Sequence, residues 1–154
     1  LLLVGHFMPP ELEQEVRDDV AARALEDAVT ITGRVPFEAI GGYLKRAAVG
    51  WVAWQPVPKN EKNIPTKLFE YMAYALPVVS GDLPSTRPFI QNGENGYRVT
   101  PDDPQAHAQA FLALLRHPAR AREMGRRGQA LVQRPYNWAE MEKRLLALYR
   151  ELLL

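Results

Sequence analysis

The chain has 154 residues, 47% of them hydrophobic and 24% charged, enough for one domain with a buried core. Nineteen basic and 18 acidic residues give a formal net charge of +1, which argues against a nucleic-acid partner held by a broad basic surface. No cysteine is present, so disulfides and thiolate metal sites are excluded; the three histidines lack metal-ligand spacing, and no apolar run nears the roughly 20 residues a helix needs to span a bilayer. The sequence opens without a methionine, in the middle of an apolar run, and with no signal peptide visible. The expectation is a piece of a longer cytoplasmic protein.

Residues 1–4 are a short apolar run stopped by Gly5, the pattern of a buried parallel strand. Pro9 and Pro10 open a helix to about Leu25, with Leu12, Val16, Val20 and Leu25 at near-helical spacing and acids at its start. A second strand at 28–32 ends at Gly33. The 36–46 helix is weakened by Gly41 and Gly42, each costing about 1 kcal/mol against alanine. A third strand occupies 49–54, a polar loop with prolines 55–65, a helix 66–75 and a fourth strand 77–80. Residues 83–90 predict a short helix or turn, ended by Asn92-Gly93 and Asn95-Gly96, and 97–99 a fifth strand. Helices at 104–116, 118–132 and 138–153 close the chain. Strands alternating with helices predict an α/β fold with a Rossmann-like parallel sheet, helices on both faces and right-handed crossovers. In such sheets ligands lie outside the carboxyl ends of the strands, here at 6–10, 33–36, 55–65, 81–84 and 100–104.

The stretch KNIPTKLFEYMAYALPVVSG, 62–81, is the strongest candidate. A loop with Asn63 and Pro65 enters a helix at Thr66. Lys67 sits in its first turn and Glu70 one turn on. Open N–H groups at a helix start attract anions, and a glutamate can accept from hydroxyls. Glu70 stands among Phe69, Tyr71, Met72 and Ala73, yet by spacing alone a surface glutamate paired with a lysine is the better account. Thr66 and Lys67 could serve as a cap and a solvated charge. A first-turn lysine opposes the helix dipole by a few tenths of a kcal/mol, which mildly favours an anion there. Gly33-Arg34-Val35 reads as a turn with an exposed arginine, and His6 as an ordinary loop residue. His107 and His117 read as helix-surface residues. Arg120, Arg122, Arg126 and Arg127 read as a solvated helix face, with anionic lipid or an acidic partner as the alternative. Trp138, Met141, Leu145, Leu148 and Tyr149 hold helical spacing and are expected in the core. Neither G-x-G-x-x-G nor G-x-x-x-x-G-K-[ST] occurs.

With KLFEYMAYALPVV the chain resembles the nucleotide-sugar-binding C-terminal domain of the family 4 (group 1) glycosyltransferases of GT-B architecture. LLLVG, VTITGRVPFEAIGGYLKRAAVGWV, NGENGYRVTPDDPQAHAQAFLALL and YNWAEMEKRLLALYREL extend the likeness over nearly the whole chain. The resemblance implies one nucleotide-sugar-binding domain over 1–154, truncated on its N-terminal side. It also implies a retaining, hexosyltransferase-like enzyme needing no cofactor or metal, with a nucleotide-diphosphate sugar as donor. A missing acceptor domain of the same protein would be its partner, and the isolated piece would be inactive. By position, Glu70 matches the second glutamate of the E-x7-E motif, on the donor ribose. Pro65, Thr66, Lys67 and Leu68 match the loop and helix start at the diphosphate and sugar, with Lys67 in the catalytic role. Arg34 and Val35 match the turn beside the base. Lys62 stands where the first glutamate belongs, and Glu61 is one residue early. The alternatives are a GT-B-like sugar-nucleotide epimerase and a non-catalytic sugar-nucleotide-binding module.

Overall fold

The computed structural model of the chain describes residues 1–153, which divide into two compact units, the first over residues 1–43 and the second from residue 44 onward. The first contains β1 (Leu2–Leu3), α1 (Glu11–Ala22) and β2 (Thr30–Ile31). β1 and β2 pair in parallel, Leu2 opposite Thr30 and Leu3 opposite Ile31, and the Gly5 N–H donates to the Gly33 carbonyl at 3.0 Å beyond them. Both strands are shorter than predicted. α1 stops before Leu25 because Ala24 takes a left-handed conformation, φ 52°. No residue of α1 is fully buried; Leu12, on its apolar stripe, stays 38% exposed.

α2 (Phe37–Arg46) leads into the second unit. There β3 (Gly50–Val52), β4 (Val78–Gly81) and β5 (Gly96–Val99) form a parallel sheet in that order. The expected five-stranded sheet is therefore observed as a two-stranded and a three-stranded ladder, the strands lying where the apolar runs put them. Alternation along β4 divides the core. Val78 faces Val52, Leu68, Met72, Ile90 and Val132. Val79 faces Ala110, Leu114, Ala121 and Met124. One face is thus covered by α4 (Thr66–Ala73), the other by α5 (Pro104–Arg116), and α6 (Pro118–Gln133) contributes to both clusters. Helices flank the sheet on both sides, as its strand pattern requires.

Four expectations need correction. The 55–65 loop contains a short helix, α3 (Pro58–Lys62), for which Pro58 supplies the first-turn φ. α4 ends at Ala73, because Ala75 adopts φ 55° and the Leu76 N–H turns back to the Tyr71 carbonyl at 3.0 Å. There α6 passes so close that a Cβ on Gly125 would strike the Ala75 carbonyl oxygen, and glycine's missing side chain permits the approach. His107 is buried rather than on the surface. Its Nδ1 accepts from the Trp51 indole N–H at 3.1 Å, which leaves Nε2–H to donate to the Pro101 carbonyl at 3.2 Å. α7 (Trp138–Leu152) buries none of its residues: Trp138 is 72% and Tyr149 54% exposed, so its apolar face is not core.

Candidate functional site

The β3–α4–β4 crossover places the start of α4 at the carboxyl end of the sheet. The residue before the helix, Pro65, is extended (φ −71°, ψ 114°), and its buried ring has no side-chain acceptor for the first turn. The Leu68 N–H bonds the Pro65 carbonyl at 3.0 Å, whereas the N–H groups of Thr66 and Lys67 meet no acceptor among the described residues. A helix start in this state carries partial positive charge and two free donors. Leu68 and Met72 anchor the helix beneath it, both 0% exposed.

Lys67 and Glu70 are exposed and three residues apart, hence on one face. Neither forms an ion pair among the described residues, not even with the other. The lysine-paired glutamate that spacing favoured is not what the fold builds. Glu70 projects charge over its neighbours: burial, and secondarily this carboxylate, push the Tyr71 hydroxyl above its ordinary value. Tyr71 packs against Gly50 and donates to the Trp51 carbonyl at 3.4 Å, which locks the helix to β3.

The structure thus brings Pro65, Thr66, Lys67, Leu68 and Glu70 together on one helix start, with divided roles. Pro65 and Leu68 give their side chains to the interior, while Thr66, Lys67 and Glu70 face outward. Lys62 ends α3, and both it and Glu61 are exposed without an ion pair among the described residues. Arg34 and Val35 lie in the other unit, after β2. Gly33 takes φ 65° there, Arg34 is exposed and Val35 half-buried.

Sequence reasoning missed a charged cluster at the same end of the sheet. Asp82, just past β4, accepts from Arg87 at 2.9 Å and from Arg98 of β5 at 3.2 Å. The Arg87 hydrogen bond is the main cause holding the Asp82 carboxyl below its usual value. The Arg98 Nε is buried and has no partner among the described residues. The partners are 5 and 16 residues from Asp82, so no periodic pattern signals the cluster. Nearby, a Cβ on Gly81 would stand 3.0 Å from the Trp54 carbonyl oxygen and 3.1 Å from Pro101, so the strand ends converge closely. Among the described residues no three His, Asp or Glu side chains gather as a metal-binding group, and no helix is long and apolar enough to cross a membrane.

A doubly covered parallel α/β sheet with an open, cationic helix start at its carboxyl end defines a class that takes anionic ligands at strand ends. The chain belongs to the family of group 1 glycosyl transferases, whose model matches residues 1–117. Its structure has the fold of the C-terminal half of the GT-B architecture. It is 31% identical over 106 residues to the amylovoran biosynthesis glycosyltransferase AmsK of Erwinia amylovora, covering 68% of this chain and 25% of that protein. The structure superimposes on sucrose-phosphate synthase of Thermosynechococcus elongatus with a TM-score of 0.86 at 29% identity, over 99% of this chain and 38% of that one. The Anabaena protein HepE, solved in complex with UDP, shares the fold with a TM-score of 0.87 at 16% identity, over 97% of this chain and 40% of that one. The chain thus spans a quarter to two-fifths of the length of these proteins.

Proposed function

We propose that this chain is the donor-binding domain of a retaining glycosyltransferase that takes a nucleotide-diphosphate sugar. One observation carries the reading: among the described residues, Lys67 and Glu70 stand exposed and unpaired on one face of a helix whose first N–H groups are open. The open Thr66 and Lys67 N–H groups and the Lys67 ammonium hold the diphosphate. As the sugar–phosphate bond breaks, negative charge grows on the leaving diphosphate, and these preorganised donors stabilise it. Glu70 accepts from the ribose hydroxyls. Pro65 and Leu68 hold the helix start in place from below. The UDP complexes of the HepE protein support a nucleotide ligand for this fold. Transfer to an acceptor belongs to the whole protein, in which this domain faces an acceptor domain; alone it is inactive.

Calorimetry on the full-length protein with UDP-, GDP- and ADP-sugars, followed by a transfer assay, tests the reading. Glu70→Ala weakens donor binding by about 10- to 150-fold, the worth of hydrogen bonds to a charged group. Lys67→Ala lowers turnover by about 100-fold, with a smaller loss of binding. Absence of binding for every nucleoside diphosphate, with Glu70→Ala indistinguishable from the parent, overturns the site. Lys62 at the position of the expected first glutamate favours one second reading, a non-catalytic sugar-nucleotide-binding module. Donor binding without transfer to any acceptor selects that module.

A further inference from the structure

The amino end of the same sheet carries a groove of about 340 Å³, away from the donor site. Leu44, Val49, Leu76 and Leu115 line it with apolar surface, and Lys45 and Arg122 supply cations. Leu115 is 57% exposed, and Leu112, one turn earlier on α5, is 45% exposed. The three segments forming this end, residues 44–50, 73–77 and 112–122, contain Lys45, Arg46, Arg116, Arg120 and Arg122 and no acid. None of those five cations forms an ion pair among the described residues. Farther along α6, Arg126 and Arg127 are both engaged by Glu123, at 2.8 and 3.2 Å. The arginine run of α6 therefore splits into a half engaged by Glu123 and a free half. Lys45, Arg46 and Arg116 have a local reason for their places, since they complement the carboxyl ends of α2 and α5. Arg120 and Arg122 have none, because they sit in the first turns of α6, where a cation opposes the dipole.

We propose that this acid-free, leucine-bearing end of the sheet docks on an anionic lipid bilayer. Arginine and lysine stems lie along apolar surface while their heads reach lipid phosphates. Leu115 and Leu112 enter the headgroup–acyl boundary. Free cations around exposed leucines match a surface that is anionic outside and apolar beneath. An acidic protein surface matches only the cations.

Co-sedimentation of the full-length protein with phosphatidylcholine vesicles, with and without phosphatidylglycerol, tests this. The protein should pellet with the anionic vesicles alone, and added salt should release it. The Arg120→Glu/Arg122→Glu pair should lower binding by at least about tenfold. Arg126→Glu/Arg127→Glu, the same charge change on the half of α6 engaged by Glu123, should lower it clearly less. Leu115→Ser should weaken binding at every salt concentration. All these positions are exposed, and an unchanged circular dichroism spectrum shows that each variant folds. Equal binding to neutral vesicles, or equal losses from the two arginine pairs, overturns the proposal. So does retention on polyglutamate equal to that on anionic vesicles with Leu115→Ser silent in both, which assigns the surface to an acidic protein instead. Donor binding is unaffected in every arm, so the result stands apart from the donor-site reading.

Discussion

α4 and α5 both begin at the carboxyl end of the β3–β5 sheet, and they begin in opposite ways. α5 closes itself: the Asp103 carboxylate accepts from the N–H groups of Gln105 at 2.9 Å and Ala106 at 3.1 Å, with Pro104 in the first turn. α4 has Pro65 at the corresponding position, no side-chain acceptor, and a lysine where the dipole favours an acid. A capping side chain contributes about 0.5–2 kcal/mol, and α4 forgoes it. α1, α3 and α6 also lack a side-chain cap, so openness by itself distinguishes nothing. What sets α4 apart is openness at the strand ends combined with an unpaired lysine and glutamate on one face. A start that folding has already satisfied is structural; one that leaves donors and charge unanswered has capacity for a ligand.

The contrast can be broken at several points, in decreasing order of effect. Leu68→Ala removes a wholly buried anchor under the α4 start and should cost about 2–5 kcal/mol in denaturant unfolding. Donor affinity should fall with it, because the start loses its support. Asp103→Ala should cost about 1 kcal/mol of stability and leave nucleotide binding unchanged, since α5 serves the frame. A large loss of donor affinity in that variant would make the two starts one site. Thr66→Asp supplies the anionic first turn that α4 lacks. It should raise thermal stability by a few tenths of a kcal/mol while weakening diphosphate binding severalfold. The smallest effect belongs to Asp82. Its carboxyl is held below the usual 3.8, mainly by Arg87, so the pair contributes stability above that pH and loses it as pH falls through the lower folded value. Both partners are more than one-third exposed, so Asp82→Asn should cost at most about 0.2–0.3 kcal/mol at pH 7 and nothing once both forms are neutral.

Much of this could be read along the chain. Five apolar runs ended by glycine or turn residues mark five strands. α5 was legible to the residue because Asp103-Pro104 and Arg116-His117-Pro118 are strong start and stop signals. The candidate site was legible for the same reason, since its residues are close in sequence and share one helix. What escaped depends on contacts across the fold. α3 was hidden among the prolines and polar residues of a loop. His107 looked like a surface histidine because its partners, Trp51 within β3 and Pro101 past the end of β5, are distant in sequence or on another strand. The α7 stripe has core spacing but remains exposed, because periodicity identifies an apolar face without saying what covers it.

The sequence by itself determined the alternation of strands and helices, the family, and the local grammar of each helix end, because these rest on interactions between residues a few positions apart. The tertiary structure alone decided which charges remain free. Among the described residues Lys67 and Glu70 have the spacing of an ion pair and do not form one, and Arg126 and Arg127 meet Glu123 while Arg120 and Arg122 meet no acid. Asp82 joins Arg87 and Arg98 only where two strand ends lie side by side. A charge is committed or available according to what the packed chain brings within hydrogen-bond reach, and residue spacing alone does not carry that distance.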